Sequence, residues 1–380
     1  MKLLFFVSVD WYFCSHRLPL AVAAKEAGYD VIVVTREGDH GSRIREAGLR
    51  LIPLDCSRGS TNPFSECKVV ARLTAIYLRE RPDIVHHIAM KPVVYGSIAA
   101  RLARVPMVIN ALTGMGYIFS SRSLLARLLM STVRTMFRFL LRRGQVIVQN
   151  QDDAELVRAL GVNDLVVIRG SGVDKEQFAP TPEAPLPPVI MLASRLLWDK
   201  GVGEFVEAAR VLKAEGANAR FVLVGAPDAE NRSSVDHVTL NQWAEQGAVE
   251  WWGRRDDMPK VLAQAHIACL PSYREGVPKS LIEAAAAGLP IVTTDTPGCR
   301  EIVIDGGNGF LVPARDSKAL ADTLWLLIND GALRKRMGQR GRAIVEAEFT
   351  SERVVEETLA VYRGLALSSG LDQSAAKVEK

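Results

Sequence analysis

The sequence predicts an α/β protein made of two doubly wound parallel sheets in tandem. Three observations carry this reading. Apolar runs of four to seven residues alternate with helix-period segments, as expected of parallel strands covered on both faces. A Pro-rich stretch, Ala179 to Pro188, interrupts the alternation, which then restarts. The length of 380 residues also exceeds the size at which one core keeps growing. The expected domains are 1–178 and 179–350, followed by a small, polar tail over 366–380 that reads as disordered.

In the first half, a strand over Lys2–Ser8 leads to a helix from about Leu18 to Ala27, which Gly28 closes. Strand Val31–Thr35, helix Ser42–Ala47 and strand Leu49–Pro53 follow, then helix Cys67–Arg79, strand Ile84–His87, helix Val94–Ala103 and strand Pro106–Ala111. Leu124 to Arg143 reads as one helix on which Arg127, Arg134 and Arg138 share a sector of about 40°, with apolar residues over most of the rest. Such a segment suits a headgroup layer, or a domain helix whose arginines face water. Beyond the linker come strand Val189–Ser194, helix Gly203–Glu215, strands Arg220–Val224 and Val249–Trp252, and helix Met258–Ala265. Strand Ile267–Pro271, helix Lys279–Ala287, strand Pro290–Thr294 and helices over Ser317–Asn329 and Glu352–Leu365 complete the pattern. Sheets wound this way bind ligands at the carboxyl ends of their strands.

Composition narrows the function classes. No apolar stretch approaches the roughly 20 residues that span a bilayer, and Met1–Val9 runs into Asp10, Trp11 and Tyr12 like a first strand rather than a signal peptide. Five scattered cysteines give neither metal-ligand spacing nor a disulfide framework, which suits a reducing compartment. Charge is uneven: residues 1–170 carry 23 Lys and Arg against 14 Asp and Glu, and the remainder 24 against 29. Between Ile84 and Gln151 there are nine basic residues and no acidic one, a field suited to phosphate groups or acidic lipid. A dinucleotide fingerprint, a P-loop, an acid-x-acid metal pair and a Gly-x-Ser-x-Gly elbow are all missing from the sequence.

The strongest chemical signal is Pro271-Ser272-Tyr273-Arg274-Glu275-Gly276-Val277-Pro278, a strand end and turn leading into a helix that carries Glu283. Free N–H groups at that helix start favour an anion, while Glu275 and Glu283 suit sugar or ribose hydroxyls beside it. Two solvated glutamates are the plain alternative. Next comes Ser194-Arg195-Leu196-Leu197-Trp198-Asp199-Lys200-Gly201, in which Arg195 and Lys200 suit the charge of a departing nucleotide diphosphate, or are ordinary surface cations. Gly225, after a strand, permits close approach of a ligand or makes a structural turn. Thr296-Pro297-Gly298-Cys299-Arg300-Glu301 forms another strand-end loop. In the first half, His16, Arg17, Lys91, Thr113 and Gly114 lie near strand ends, and His86 with His87 reads as either a catalytic pair or satisfied core groups.

Arg195 and Lys200-Gly201, then Val224-Gly225, Glu275 and Glu283 with seven residues between them, and Gly298-Cys299-Arg300-Glu301 together resemble the retaining family 4 glycosyltransferases over nearly the whole chain. The resemblance implies the GT-B fold, two Rossmann-like domains facing each other across a cleft, with the second holding the sugar nucleotide and the first the acceptor. It implies Arg195 and Lys200 at the diphosphate, Glu283 at the ribose, Glu275 at the donor sugar with Gly276 and Val277 beside it, and the helix Glu352–Leu365 returning to the first domain. It implies metal-independent transfer, with no cofactor, in which the acceptor attacks the face that the diphosphate leaves and the diphosphate takes its proton.

His16-Arg17-Leu18-Pro19, Ser57-Arg58-Gly59-Ser60-Thr61-Asn62-Pro63-Phe64 and Lys91-Pro92 are similar to bacterial N-acetylgalactosaminyltransferases that extend undecaprenyl-diphosphate-linked sugars. The implied partners are a UDP-sugar, a lipid-diphosphate-linked glycan and an anionic membrane surface on the cytoplasmic side, not nucleic acid. A GT-B enzyme using a soluble acceptor, and a UDP-sugar epimerase, are the competing readings. Two departures from the family pattern concern the first domain. Ser8-Val9-Asp10-Trp11-Tyr12 replaces a Gly-rich loop, and Leu112-Thr113 stands where a His is common, so His16, Arg17, Lys91 or Thr113 is expected to substitute.

Overall fold

The computed structural model describes residues 1–56, 62–114 and 134–369. They form two compact units, Met1–Ser171 together with the chain from Ser351, and Gly172–Thr350. The first contains a seven-stranded parallel sheet of β1 (Lys2–Val9), β2 (Asp30–Arg36), β3 (Arg50–Pro53), β4 (Ile84–Ile88), β5 (Met107–Leu112), β6 (Gln145–Val148) and β7 (Leu165–Val167), ordered β3-β2-β1-β4-β5-β6-β7. Leu3, Phe5 and Val7 enter one core layer and Leu4 and Phe6 the other. A strand buried on both faces reads as an unbroken apolar run for that reason. The helices are α1 (Asp10–His16), α2 (Leu18–Glu26), α3 (Gly41–Glu46), α4 (Pro63–Glu80), α5 (Met90–Ala103) and α6 (Gln151–Ala159).

The second unit has six parallel strands: β8 (Val189–Ala193), β9 (Arg220–Val224), β10 (Glu250–Trp251), β11 (Ile267–Leu270), β12 (Ile291–Thr294) and β13 (Gly309–Val312), ordered β10-β9-β8-β11-β12-β13. Its helices are α7 (Val202–Ala214), α8 (His237–Glu245), α9 (Met258–Leu262), α10 (Lys279–Ala286), α11 (Ser317–Asn329) and α12 (Gly331–Glu348). The two faces again divide alternate residues, Ile190 and Leu192 against Val189 and Met191. Chain order reverses between β1 and β4 in the first sheet and between β8 and β11 in the second, the places where such sheets open toward ligands. A last helix, α13 (Ser351–Ser368), belongs to the first unit and buries Val354, Tyr362 and Ala366 in its core.

Several expectations need correction. The units divide after Ser171 rather than after Phe178, because Val173 N–H donates to Phe349 O at 3.0 Å and Arg342 Nη1 donates to Lys175 O at 2.8 Å and to Phe178 O at 3.2 Å. The tail expected from 366 is helical through Ser368, since Ala366 packs into the first core. Helices α1, α6, α8 and α12 and strands β6, β7 and β13 add elements that the sequence reading leaves out. Part of the Leu124–Arg143 segment, including Arg127, lies outside the described residues, as do residues 57–61. The rest is helical over 134–141, with Phe137 and Leu141 buried and Arg134 and Arg138 exposed. Among the described residues no helix is long and apolar enough to cross a membrane.

Candidate active site

The second-unit candidates gather at the carboxyl ends of β8 and β11. After β8 the chain passes Ser194 and Arg195 into a short 3-10 turn, Trp198–Lys200, which Gly201 ends with φ of 73°. A Cβ on Gly201 would lie 2.1 Å from the Pro271 carbonyl oxygen, so only glycine lets this turn close against the end of β11. Two bonds stitch the loops together, since Asp199 O accepts from Tyr273 N–H at 2.9 Å and from Ser272 Oγ at 3.1 Å. The result is a direct ion pair between Lys200 Nζ and the Glu275 carboxylate, with only 18% and 10% of the two side chains exposed. Gly225, at φ 142°, lets the loop after β9 approach Ser194, whose carbonyl would lie 1.8 Å from an added Cβ. That loop carries Asp228, which accepts from Arg195 Nη1 at 2.8 Å and whose own N–H donates to Ser234 Oγ at 2.9 Å. Arg195 stays 40% exposed, so the rest of its guanidinium is open to a further acceptor.

Pro278 precedes α10, and Gly276 and Val277 are buried in the turn before it. Glu283 lies one turn into α10, paired with Lys279 at 3.2 Å. Burial raises the Glu283 pKa, and the Lys279 ammonium opposes the rise. Cys299, beside these loops, has its thiol pushed up to about 11 by burial, with the Glu275 charge adding to the effect, so it packs as a neutral group. This assembly offers two cations on one loop for an oxyanion, and the Glu275 carboxylate on the next loop with Glu283 on α10 for hydroxyls. Asp228 and the Tyr273–Glu204 hydrogen bond of 2.6 Å also brace the site, and sequence reasoning passed over both. The one local signal for Asp228 was its place just after Gly225 at a strand end.

The first-unit candidates are more varied. His16 stacks on Tyr12 with ring centroids 4.1 Å apart and sets Nδ1 3.2 Å from Tyr12 O. Lys91 is not a lone cation: Glu66 holds it at 3.0 Å and also accepts from the Tyr95 hydroxyl. Thr113 and Gly114 follow β5 and are half-buried, whereas Arg17 is 5% exposed. His87 is a core group, bonded to Tyr77 Oη at 3.1 Å and to Asn110 Oδ1 at 2.8 Å, and burial lowers its pKa to about 4. His86 Nδ1 meets the Tyr362 hydroxyl at 2.7 Å, and burial with the nearby Arg17 charge pushes its pKa well down. Asp10 was missed altogether. Its buried carboxylate accepts N–H bonds from Trp11 and Gly38 at 2.7 Å and from His40 at 2.9 Å, pinning the loop after β2 to the end of β1.

Comparison with known proteins bears on the family and the fold. The family described as Glycosyl transferases group 1 matches residues 173–344, and Glycosyl transferase 4-like matches residues 2–151. The N,N'-diacetylbacillosaminyl-diphospho-undecaprenol alpha-1,3-N-acetylgalactosaminyltransferase of Campylobacter jejuni is 30% identical over 339 residues, covering 85% of this chain and 88% of its own. The UDP-Gal:alpha-D-GlcNAc-diphosphoundecaprenol alpha-1,3-galactosyltransferase of Escherichia coli is 27% identical over 71% of this chain and 72% of its own. Among solved structures, the Anabaena protein HepE in complex with UDP and glucose superposes with a TM-score of 0.76 at 19% identity, over 96% of this chain and 99% of that one. With two doubly wound units, the second carrying a paired Lys200 and Glu275 beside Arg195, this chain belongs to the family 4 glycosyltransferases of GT-B fold.

Proposed function

We propose that this glycosyltransferase moves a hexose or N-acetylhexosamine, with N-acetylgalactosamine favoured, from a UDP-sugar to an undecaprenyl-diphosphate-linked saccharide, retaining the anomeric configuration. The observation that supports it most is the Lys200–Glu275 pair that joins the loops after β8 and β11, with Arg195 on the same loop as Lys200 and held by Asp228. The ammonium of Lys200 has three donors, so it can keep Glu275 and still grip a phosphate oxygen. Arg195 adds a planar donor pair. Negative charge grows on the diphosphate as the glycosidic bond breaks, and preorganised cations favour that state over the ground state, each contributing about 3–4 kcal/mol in comparable sites. Glu275 takes sugar hydroxyls and Glu283 the ribose. The departing diphosphate accepts the acceptor's proton on the face where attack occurs, and Arg195 and Lys200 supply the charge that a metal ion would otherwise bring.

Two printed names favour the acceptor class, since the Campylobacter and Escherichia relatives are both named for a diphospho-undecaprenol substrate. The basic, acid-free stretch of the first unit and the exposed Arg134 and Arg138 favour work at an anionic membrane surface on the cytoplasmic side. The test is a screen of UDP-, GDP- and ADP-sugars with a polyprenyl-diphosphate saccharide and with soluble alcohols, read by product mass, with and without EDTA. Lipid-linked product from a UDP-sugar at an EDTA-independent rate is expected. Product on soluble alcohols alone, or altered sugar released without acceptor, contradicts the proposal.

A further inference from the structure

Two buried polar side chains of the first unit have nitrogen atoms without a partner, and both line one small pocket. Among the described residues, Arg17 Nε and His86 Nε2 have no hydrogen-bond partner, although Arg17 is 5% exposed and His86 1%. The pocket has a free volume of about 10 Å³, and its walls include Leu112, Thr113, Gln149 and Thr358. It lies toward the carboxyl ends of β5 and β6, where this kind of sheet receives ligands. A space of that size takes one oxygen atom.

The protons on the two nitrogens can be assigned. Arg17 Nε carries a hydrogen at any accessible pH. Tyr362 Oη has one hydrogen-bond partner among the described residues, His86 Nδ1 at 2.7 Å. A fully buried hydroxyl that failed to donate would leave its own proton unsatisfied, so it donates to Nδ1 and the single proton of the neutral ring sits on Nε2. Arg17 and His86 thus bring two unpartnered N–H donors to the pocket walls, one of them on a cation, beside the Gln149 amide and the Thr113 hydroxyl, and Thr358 Oγ1 is already engaged with Val354 O at 2.7 Å. An oxygen that only accepts, and bears negative charge, fits this environment best.

We infer that Arg17 and His86 form an oxyanion subsite of the first unit that takes one oxygen of a phosphate, with Tyr362 as a positioning residue that fixes the ring proton. Assigning that phosphate to the lipid diphosphate of the acceptor rests on the function proposed above. Tyr362 comes from α13, so the returning helix does more than complete the core: it sets the donor pattern of the pocket.

The test uses the full chain labelled at its histidine ring nitrogens, titrated by NMR with inorganic phosphate and separately with farnesyl diphosphate, while UDP binding is followed by calorimetry. The His86 Nε2 signal should shift saturably with either anion. Arg17→Gln should weaken both by about tenfold to a hundredfold, the usual effect of losing a hydrogen bond to a charged group. Tyr362→Phe, which frees the ring tautomer, should weaken both anions by a smaller factor. Tighter binding of farnesyl diphosphate supports the lipid source, whereas equal affinity for inorganic phosphate overturns that assignment. A His86 signal unmoved by both anions in wild-type protein that still binds UDP overturns the subsite, leaving a single water in the pocket. That outcome is distinct from failure of the donor site, which would appear as absent UDP binding.

Discussion

Lys200 and Glu275 lie 75 residues apart in the chain, yet their side chains form a shielded ion pair. Either partner alone would leave a largely buried charge unmatched, so Lys200→Ala and Glu275→Ala should each cut turnover by about a hundredfold to a thousandfold. Circular dichroism should show an intact fold in both, and wild-type rates would sink the role assigned to the pair. Titration at this scale also has a sign. The folded pKa of His87 is about 4, below its ordinary value near 6.5, so the unfolded chain takes up the proton first as pH falls. Its contribution to stability is complete above pH 6.5 and is lost as pH drops through 4, amounting to about 3 kcal/mol. Burial of His86 acts in the same direction. Urea midpoints should therefore fall between pH 7 and pH 4.5, and more shallowly in His87→Gln; a flat profile would contradict the assignment. The strand-end loops that carry Arg195, Lys200 and Glu275 and the helix that carries Glu283 are legible in the sequence because each has a local pattern, whereas the pairing of Lys200 with Glu275 across 75 residues is not. Asp10 and Asp228 were not, since the groups they hold arrive from loops about 30 residues away.

Elements at the sheet ends explain how those side chains are aimed. The turn before α7 depends on Gly201, and a Cβ there would meet backbone rather than a yielding side chain. Gly201→Ala should cost about 2 kcal/mol through strain and steric conflict, and should lower kcat more than UDP affinity as Lys200 is displaced. Thermal unfolding and steady-state kinetics check both; unchanged kcat would mean that the turn does not position Lys200. Most strands could be read from sequence because alternate residues of each enter different core layers. Helix α12 escaped notice because its buried face is built from Arg334, Met337, Gly338, Gly341 and Val345, leaving little apolar periodicity. Helix α4 starts earlier than its apolar pattern because Asn62 Oδ1 accepts from Phe64 N–H at 3.1 Å and Pro63 opens the first turn. Helix α1 leaves little periodic signal because only Phe13 and Cys14 give it an apolar buried face.

The whole chain combines a basic first half with an acidic remainder, a division visible in composition and independent of fold. The units divide a few residues before the Pro-rich stretch because residues 172–178, though not part of a strand, are strapped to the second unit by backbone bonds and Arg342. Arg134 and Arg138 stand exposed near Met136 and Phe139, which are also exposed. Replacing both arginines by glutamate should reduce sedimentation with vesicles containing anionic lipid, by about 1 kcal/mol per lost charge before repulsion, and added salt should weaken wild-type binding. Equal sedimentation of variant and wild type would remove the membrane from the account.

The central claim is that the carboxyl ends of β8 and β11 hold the nucleotide diphosphate. A crystal structure of the full chain with UDP tests it most directly. The diphosphate should lie within hydrogen-bond reach of Arg195 and Lys200, with the ribose near Glu283. UDP bound in the first unit, or elsewhere on the second, would contradict it.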